Sequence, residues 1–90
     1  MESESYLMEF YGKECPHCTA MAPLVDRLGE EEGLEIQKYE VWHSDQNVTL
    51  MRQYDQGHCG GVPFFYNQRT GKWLCGPVSY EKLKEWASGK

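Results

Sequence analysis

Ninety residues are enough for one domain and no more. A composition of 40% hydrophobic, 26% charged and 13% aromatic residues belongs to a folded globular chain and excludes intrinsic disorder. The net charge of −5, from 9 basic and 14 acidic side chains, disfavours nucleic acid and anionic membrane as partners, and the apolar runs are too short for a transmembrane helix.

In chain order, residues 6–11 (Tyr-Leu-Met-Glu-Phe-Tyr) read as an aromatic-rich strand and residues 12–14 as a turn. From Pro16 the period becomes helical, with Met21, Leu24, Val25 and Leu28 on one face. Pro16 suits a first helical turn, where its missing N–H costs nothing. Pro23 predicts a kink, and the run Glu30-Glu31-Glu32 opposes the helix dipole and predicts a frayed end near Gly33. Residues 34–42 alternate as a second strand, with Leu34, Ile36 and Val41 facing inward. Ser44 or Asp45 caps a second helix that runs to Asp55. Residues 56–61, with three Gly, form a loop. Residues 62–66 and 72–75 are two further strands, joined by a hairpin turn over residues 67–71. Ser79 caps a last helix carrying Tyr80, Leu83 and Trp86.

The order β-α-β-α-β-β-α implies a parallel pair with a right-handed crossover, followed by an antiparallel hairpin. The expected architecture is one α/β domain over residues 1–90, with a four-stranded mixed sheet between helices on both faces. The acidic start, Met1-Glu2-Ser3-Glu4-Ser5, is not a secretory signal. A soluble monomer in the cytoplasm or an organelle is expected.

The chemistry-bearing motif is Cys15-Pro16-His17-Cys18. Cys15 falls at a helix N-terminus, where free N–H groups and the macrodipole favour an anion. Cys18 lies one turn further on, within disulfide reach and expected to be the less exposed. Cys15 then reads as the sulfur that attacks a partner disulfide and Cys18 as the sulfur that resolves the mixed disulfide. His17, cationic or hydrogen-bonded to the Cys15 sulfur, favours the reduced thiolate. The alternative is a metal-sensing or docking module in which Cys15, Cys18, His58 and Cys59 bind Zn²⁺, although their spacing is unlike that of common zinc motifs.

The segment Leu7-Met8-Glu9-Phe10-Tyr11-Gly12-Lys13-Glu14-Cys15-Pro16-His17-Cys18 resembles the thioredoxin-family signature. Pro23 stands where thioredoxins carry their helix proline. Gly61-Val62-Pro63 resembles the family's Gly-Ile/Val-Pro, and residues 76–86 resemble its last strand-to-helix join. The resemblance covers most of the chain and implies a minimal thioredoxin-like fold, without the usual N-terminal strand and helix. It implies a thiol–disulfide oxidoreductase that needs no bound cofactor or metal and exchanges electrons with protein dithiols or disulfides, a reductase or glutathione.

The resemblance also implies roles for single residues. Pro63 would be cis and face the Cys pair, with Gly61 and Val62 offering backbone to an extended substrate. Glu9 would be the buried acid that takes the proton of Cys18, with Lys38 as its partner. Read alone, a charged residue in mid-strand is more often exposed.

The motif departs from the family at Glu14, which replaces the usual Trp and opposes the effect of His17. The Pro-His pair matches that of strongly oxidising bacterial disulfide oxidases and is close to the Pro-Tyr of glutaredoxins. Cys75-Gly76 stands where glutaredoxins carry Gly-Gly. The direction of reaction stays open.

Cys59, four residues before Pro63, reads as a partly buried bystander, with a regulatory thiol, a second disulfide partner or a metal ligand as its functional alternatives. Cys75 reads as core, and whether the two pair is not legible in the sequence. Trp42-His43 reads as a surface corner, and Phe64, Phe65, Tyr66, Trp73 and Trp86 as core and sheet surface.

Overall fold

The computed structural model describes residues 6–89. Its elements are β1 (Leu7–Tyr11), α1 (Pro16–Glu32), β2 (Ile36–Glu40), α2 (Asp45–Asp55), β3 (Phe64–Asn67), β4 (Trp73–Cys75) and α3 (Tyr80–Ser88). The strands form one mixed sheet in the order β2-β1-β3-β4. β1 runs parallel to β2 and antiparallel to β3, and β3 is antiparallel to β4.

Alternation along β1 divides the core. Leu7 packs with Met21, Val25 and Leu28 of α1, Phe65 of β3, and Leu83, Trp86 and Ala87 of α3. Met8 and Phe10 point the other way and pack with Val41, Met51 of α2 and Phe64. The result is the expected three-layer arrangement, α1 and α3 on one face and α2 on the other. Glu9 shares its parity with Leu7 and therefore lies on the α1 face.

Several strand boundaries differ from the sequence reading. β2 is shorter than residues 34–42, and Val41 is buried just beyond its end. β3 starts at Phe64, after Val62 and Pro63; a proline has no N–H to give a ladder. The Val62–Pro63 peptide bond is cis. The acidic end of α1 is not frayed. Glu31 accepts from Arg27 at 2.9 Å and from the Tyr80 hydroxyl at 2.8 Å, Glu32 pairs with Lys84 at 3.6 Å, and Gly33 closes the helix in the left-handed conformation. These partners lie mostly on α3, so the charges that oppose the dipole tie the two helices together.

The β3–β4 hairpin is anchored by Asn67, which is fully buried. Its amide donates to Trp86 O at 2.9 Å, and its side-chain oxygen accepts from the N–H groups of Arg69 and Thr70 at 2.8 and 3.3 Å. Asn67→Ala would leave Trp86 O without this donor in the interior and the turn N–H groups of Arg69 and Thr70 without their acceptor. It is expected to cost about 2 kcal/mol in urea denaturation; an unchanged midpoint would show that the anchor is dispensable.

Candidate active site

β1 delivers the chain to the turn at Gly12, and Cys15 N–H donates to Gly12 O at 3.1 Å. Cys15 is the N-cap of α1, in extended conformation, with Pro16 in the first turn. Its sulfur accepts from Cys18 N–H at 3.2 Å, as an N-cap side chain does. The Cys15 carbonyl accepts from the N–H and hydroxyl of Thr19 at 3.0 and 3.1 Å. His17 is exposed on the first turn.

The two cysteines stand as free thiols, and both are buried, at 3% exposure for Cys15 and 5% for Cys18. The expected difference in exposure is absent. Their environments differ instead. The Cys18 thiol is pushed up to about 12, first by burial and then by its hydrogen bond to Cys15. Gly12 N–H, 3.5 Å from the Cys18 sulfur, works in the opposite direction.

Glu9 is 3% exposed, and burial lifts its carboxyl to about 7. The Lys38 charge pulls it down and the Asp26 charge pushes it up. Lys38 is the register partner of Glu9 across β1 and β2, but its ammonium bonds Asp26 at 3.2 Å at the surface. A cavity of about 260 Å³ opens between these groups, lined by Glu9, Cys18, Lys38, Tyr11, Gly12 and Thr19 among others. A buried acid, a buried thiol and a cation thus share one space.

The β1–β3 register pairs Phe10 with Phe64, so one step further Pro63 comes level with Tyr11. Gly61, Val62 and Pro63 therefore enter the sheet at the end where β1 hands over to Cys15. Pro63 is buried, Val62 half-buried and Gly61 exposed.

A third segment reaches the same end. β1 and β2 run parallel, with Tyr11 beside Glu40, and Val41 N–H donates to Tyr11 O at 2.8 Å. Trp42 then lays its indole directly over Gly12, where any Cβ would collide with the ring. The Glu40 carboxylate binds the backbone N–H groups of Lys13, Trp42 and His43 at 2.8, 3.2 and 2.8 Å. His43 Nε2 meets the Glu14 carboxylate at 2.8 Å, and this hydrogen bond holds the imidazole above its ordinary value. The corner expected at Trp42-His43 is thus fastened to the turn that carries Cys15. No sequence motif announces it, because the contact depends on the parallel register.

The ligand atoms of Glu14, Glu40 and His43 lie within 4.8 Å of one another, the one such metal-competent cluster among the described residues. Three backbone amides already occupy Glu40, and the cluster reads as a loop clamp. The four-ligand zinc set is not assembled. Cys59 is bonded to Cys75, with an S–S distance of 2.04 Å. This bond corrects two further expectations: Cys59 is neither a bystander nor a free regulatory thiol, and Cys75 is exposed rather than core. An even number of cysteines, two of them outside the motif, was the one available hint.

The sequence matches no protein-family profile, and no curated protein is significantly similar to it. Solved structures are similar in fold. A glutaredoxin from Archaeoglobus fulgidus superposes with a TM-score of 0.65 at 18% identity, covering 93% of this chain and 87% of that one. A mutant thioredoxin from Halobacterium salinarum gives 0.70 at 26% identity, with 92% and 71% covered. The oxidised mitochondrial thioredoxin 3 of Saccharomyces cerevisiae gives 0.63 at 15% identity, with 93% and 76% covered. The chain has a thioredoxin-like fold and a Cys pair placed to form a disulfide.

Gly12 is the contact on which the three segments converge. Gly12→Ala is expected to displace the Trp42 ring, change tryptophan fluorescence and cost about 1–3 kcal/mol of stability. Unaltered emission and stability would mean that Trp42 does not rest on Gly12 in solution.

Proposed function

We propose that the chain is a thiol–disulfide oxidoreductase that exchanges a Cys15–Cys18 dithiol/disulfide with protein substrates. The observation that carries this reading is the asymmetry of the pair. Cys15 caps α1 and receives an N–H at its sulfur, whereas Cys18 keeps its proton to about 12 beside a buried acid. One sulfur is prepared to attack and the other to wait.

In the reducing direction, the Cys15 thiolate attacks one sulfur of a substrate disulfide. The substrate S–S bond breaks, one substrate thiolate leaves, and a mixed disulfide forms. Cys18 then gives its proton to the ionised Glu9 carboxylate, with which it shares a cavity. The Cys18 thiolate attacks the Cys15 sulfur and expels the second substrate thiolate, so two electrons have passed to the substrate. A partner dithiol or glutathione returns the pair to its reduced form, and the reverse sequence donates a disulfide.

Lys38 and Asp26 act on Glu9 through their opposing charges. Val62 offers its backbone beside Pro63 for pairing with an extended substrate segment. Because Cys15 is covered, substrate entry goes with a local displacement of the surrounding turns. The described residues contain no helix long and apolar enough to cross a membrane.

Cys15→Ser should abolish exchange with a peptide disulfide, and full retained activity would refute the proposal. Glu9→Gln should slow the resolving step by about 10²-fold and remove its rate change near pH 7. The same residue makes a stability prediction. Its carboxyl sits at about 7 in the fold against an ordinary 4.5. The native state therefore binds more protons than the unfolded chain between these values. Stability should fall as pH rises through this window, by about 3 kcal/mol in total. Denaturation of Glu9→Gln across the same range should show no such fall; a parallel fall would assign the effect to another group.

A further inference from the structure

The Cys59–Cys75 disulfide belongs to no step of this exchange, yet it lies beside the proposed substrate groove. β4 pairs Cys75 with Phe64, the first residue of β3, and Gly76 N–H donates to Pro63 O at 2.8 Å. The disulfide therefore fastens the loop that leads into Val62 and Pro63 to the outer strand of the sheet.

The rest of this loop is held by local, non-covalent contacts. Gly57 and Gly60 adopt positive φ, and a Cβ on Gly57, Gly60 or Gly61 would meet nothing within 4 Å. Cys59 and Val62 pack at the edge of the Met8, Phe10 and Met51 cluster, and His58 N–H donates to Asp55 O at 2.9 Å. The buried Asp55 carboxylate accepts from the N–H groups of Cys59 and Gly60 at 2.6 and 2.8 Å, and the His58 ring stacks on the half-exposed Trp73 at 5.0 Å. Three glycines with open space around them favour many conformations of the segment once a covalent tie is lost. The disulfide also differs from the Cys15–Cys18 pair in access: Cys75 is exposed and Cys59 partly exposed, whereas Cys15 and Cys18 are buried.

We propose that Cys59–Cys75 is a second, regulatory redox site, and that its reduction by a dithiol releases loop 56–62 and weakens the substrate groove at Val62–Pro63. The reductant's first thiolate attacks the sulfur of Cys75, an exposed residue, and the Cys59–Cys75 bond breaks. Cys59 leaves as a thiolate and takes up a proton. The reductant's second thiolate then attacks its own sulfur in the mixed disulfide and releases Cys75, which is protonated in turn. Two electrons and two protons enter the chain, and the dithiol leaves as a cyclic disulfide. The effect on the groove rests on the oxidoreductase reading; the redox site itself does not.

The test starts from the full chain carrying Cys15→Ser and Cys18→Ser, so that only Cys59 and Cys75 titrate. It is equilibrated in buffers of reduced and oxidised dithiothreitol, and thiols are counted by alkylation and mass spectrometry. Cys59 and Cys75 should convert together and reversibly, with far-ultraviolet circular dichroism unchanged and amide hydrogen exchange accelerated over residues 56–62 alone. Reduction that occurs only with global unfolding, or that leaves exchange at 56–62 unaltered, overturns the proposal and makes the bond a plain staple. The native chain is then compared with Cys59→Ser/Cys75→Ser in exchange with a peptide disulfide. KM should rise about fivefold at constant kcat, as expected for a groove that must be ordered on binding. An equal KM in two folded proteins overturns the regulatory role. If the native chain exchanges no disulfide at all, the oxidoreductase reading fails, and the amide-exchange result alone decides whether the redox site stands.

Discussion

The site depends on a close approach at Gly12. Its N–H reaches the Cys18 sulfur, its carbonyl receives Cys15 N–H, and its Cα face lies under the Trp42 indole. A side chain at this position would push the indole away. The missing Cβ thus lets β1, the start of α1 and the loop after β2 meet at one point. The Glu40 carboxylate reinforces the junction by gathering three N–H groups from two of these segments. Free amides that would otherwise face water are satisfied by a single acid, and the turn before Cys15 is held from both sides.

From this junction follows the inequality of the two sulfurs. The first sits at the mouth of a helix, where backbone donors converge. The second is one turn inside, against β1, where burial favours the neutral form. The two-residue period of β1 brings Glu9 to the same side, and its own burial favours the neutral acid. Two groups that both resist ionisation share a cavity with Lys38. A small chain can maintain such a cluster because α1 and α3 close the rest of that face with an aliphatic and aromatic core, and the acids at the end of α1 bind α3.

The substrate end is assembled from three stretches far apart in sequence: the turn after β1, the corner after β2 and the loop before β3. The first two are clamped by Glu14, Glu40 and His43. The third is held by Asp55 and by the bond from Cys59 to Cys75. One side of the site is therefore fixed by hydrogen bonds and ion pairs and the other by a covalent link to the sheet edge.

The order and type of the elements were legible in the chain itself, because local physics decides them. The switch from aromatic alternation to helical period at Pro16, the Ser caps at Ser44 and Ser79, and the turn residues over 67–71 act over a few residues and need no distant partner. The Cys15-Pro16-His17-Cys18 motif was legible for the same reason, since a proline-led helix start positions both sulfurs. Registers were not legible, and burial only in part. The burial of Glu9 was implied by the resemblance, whereas a lone charged residue in mid-strand otherwise reads as exposed; its place is set by the helix packed over it. The seat of Trp42 on Gly12 follows from the parallel pairing of β1 with β2, and the bond of Cys59 to Cys75 from the pairing of β3 with β4. A strand shifted by one residue would turn its side chains to the opposite face. The amino-acid sequence by itself thus determined the secondary structure and the reactive pair, which are short-range properties. Only the tertiary structure decided which groups surround that pair, because those contacts are created when distant strands align.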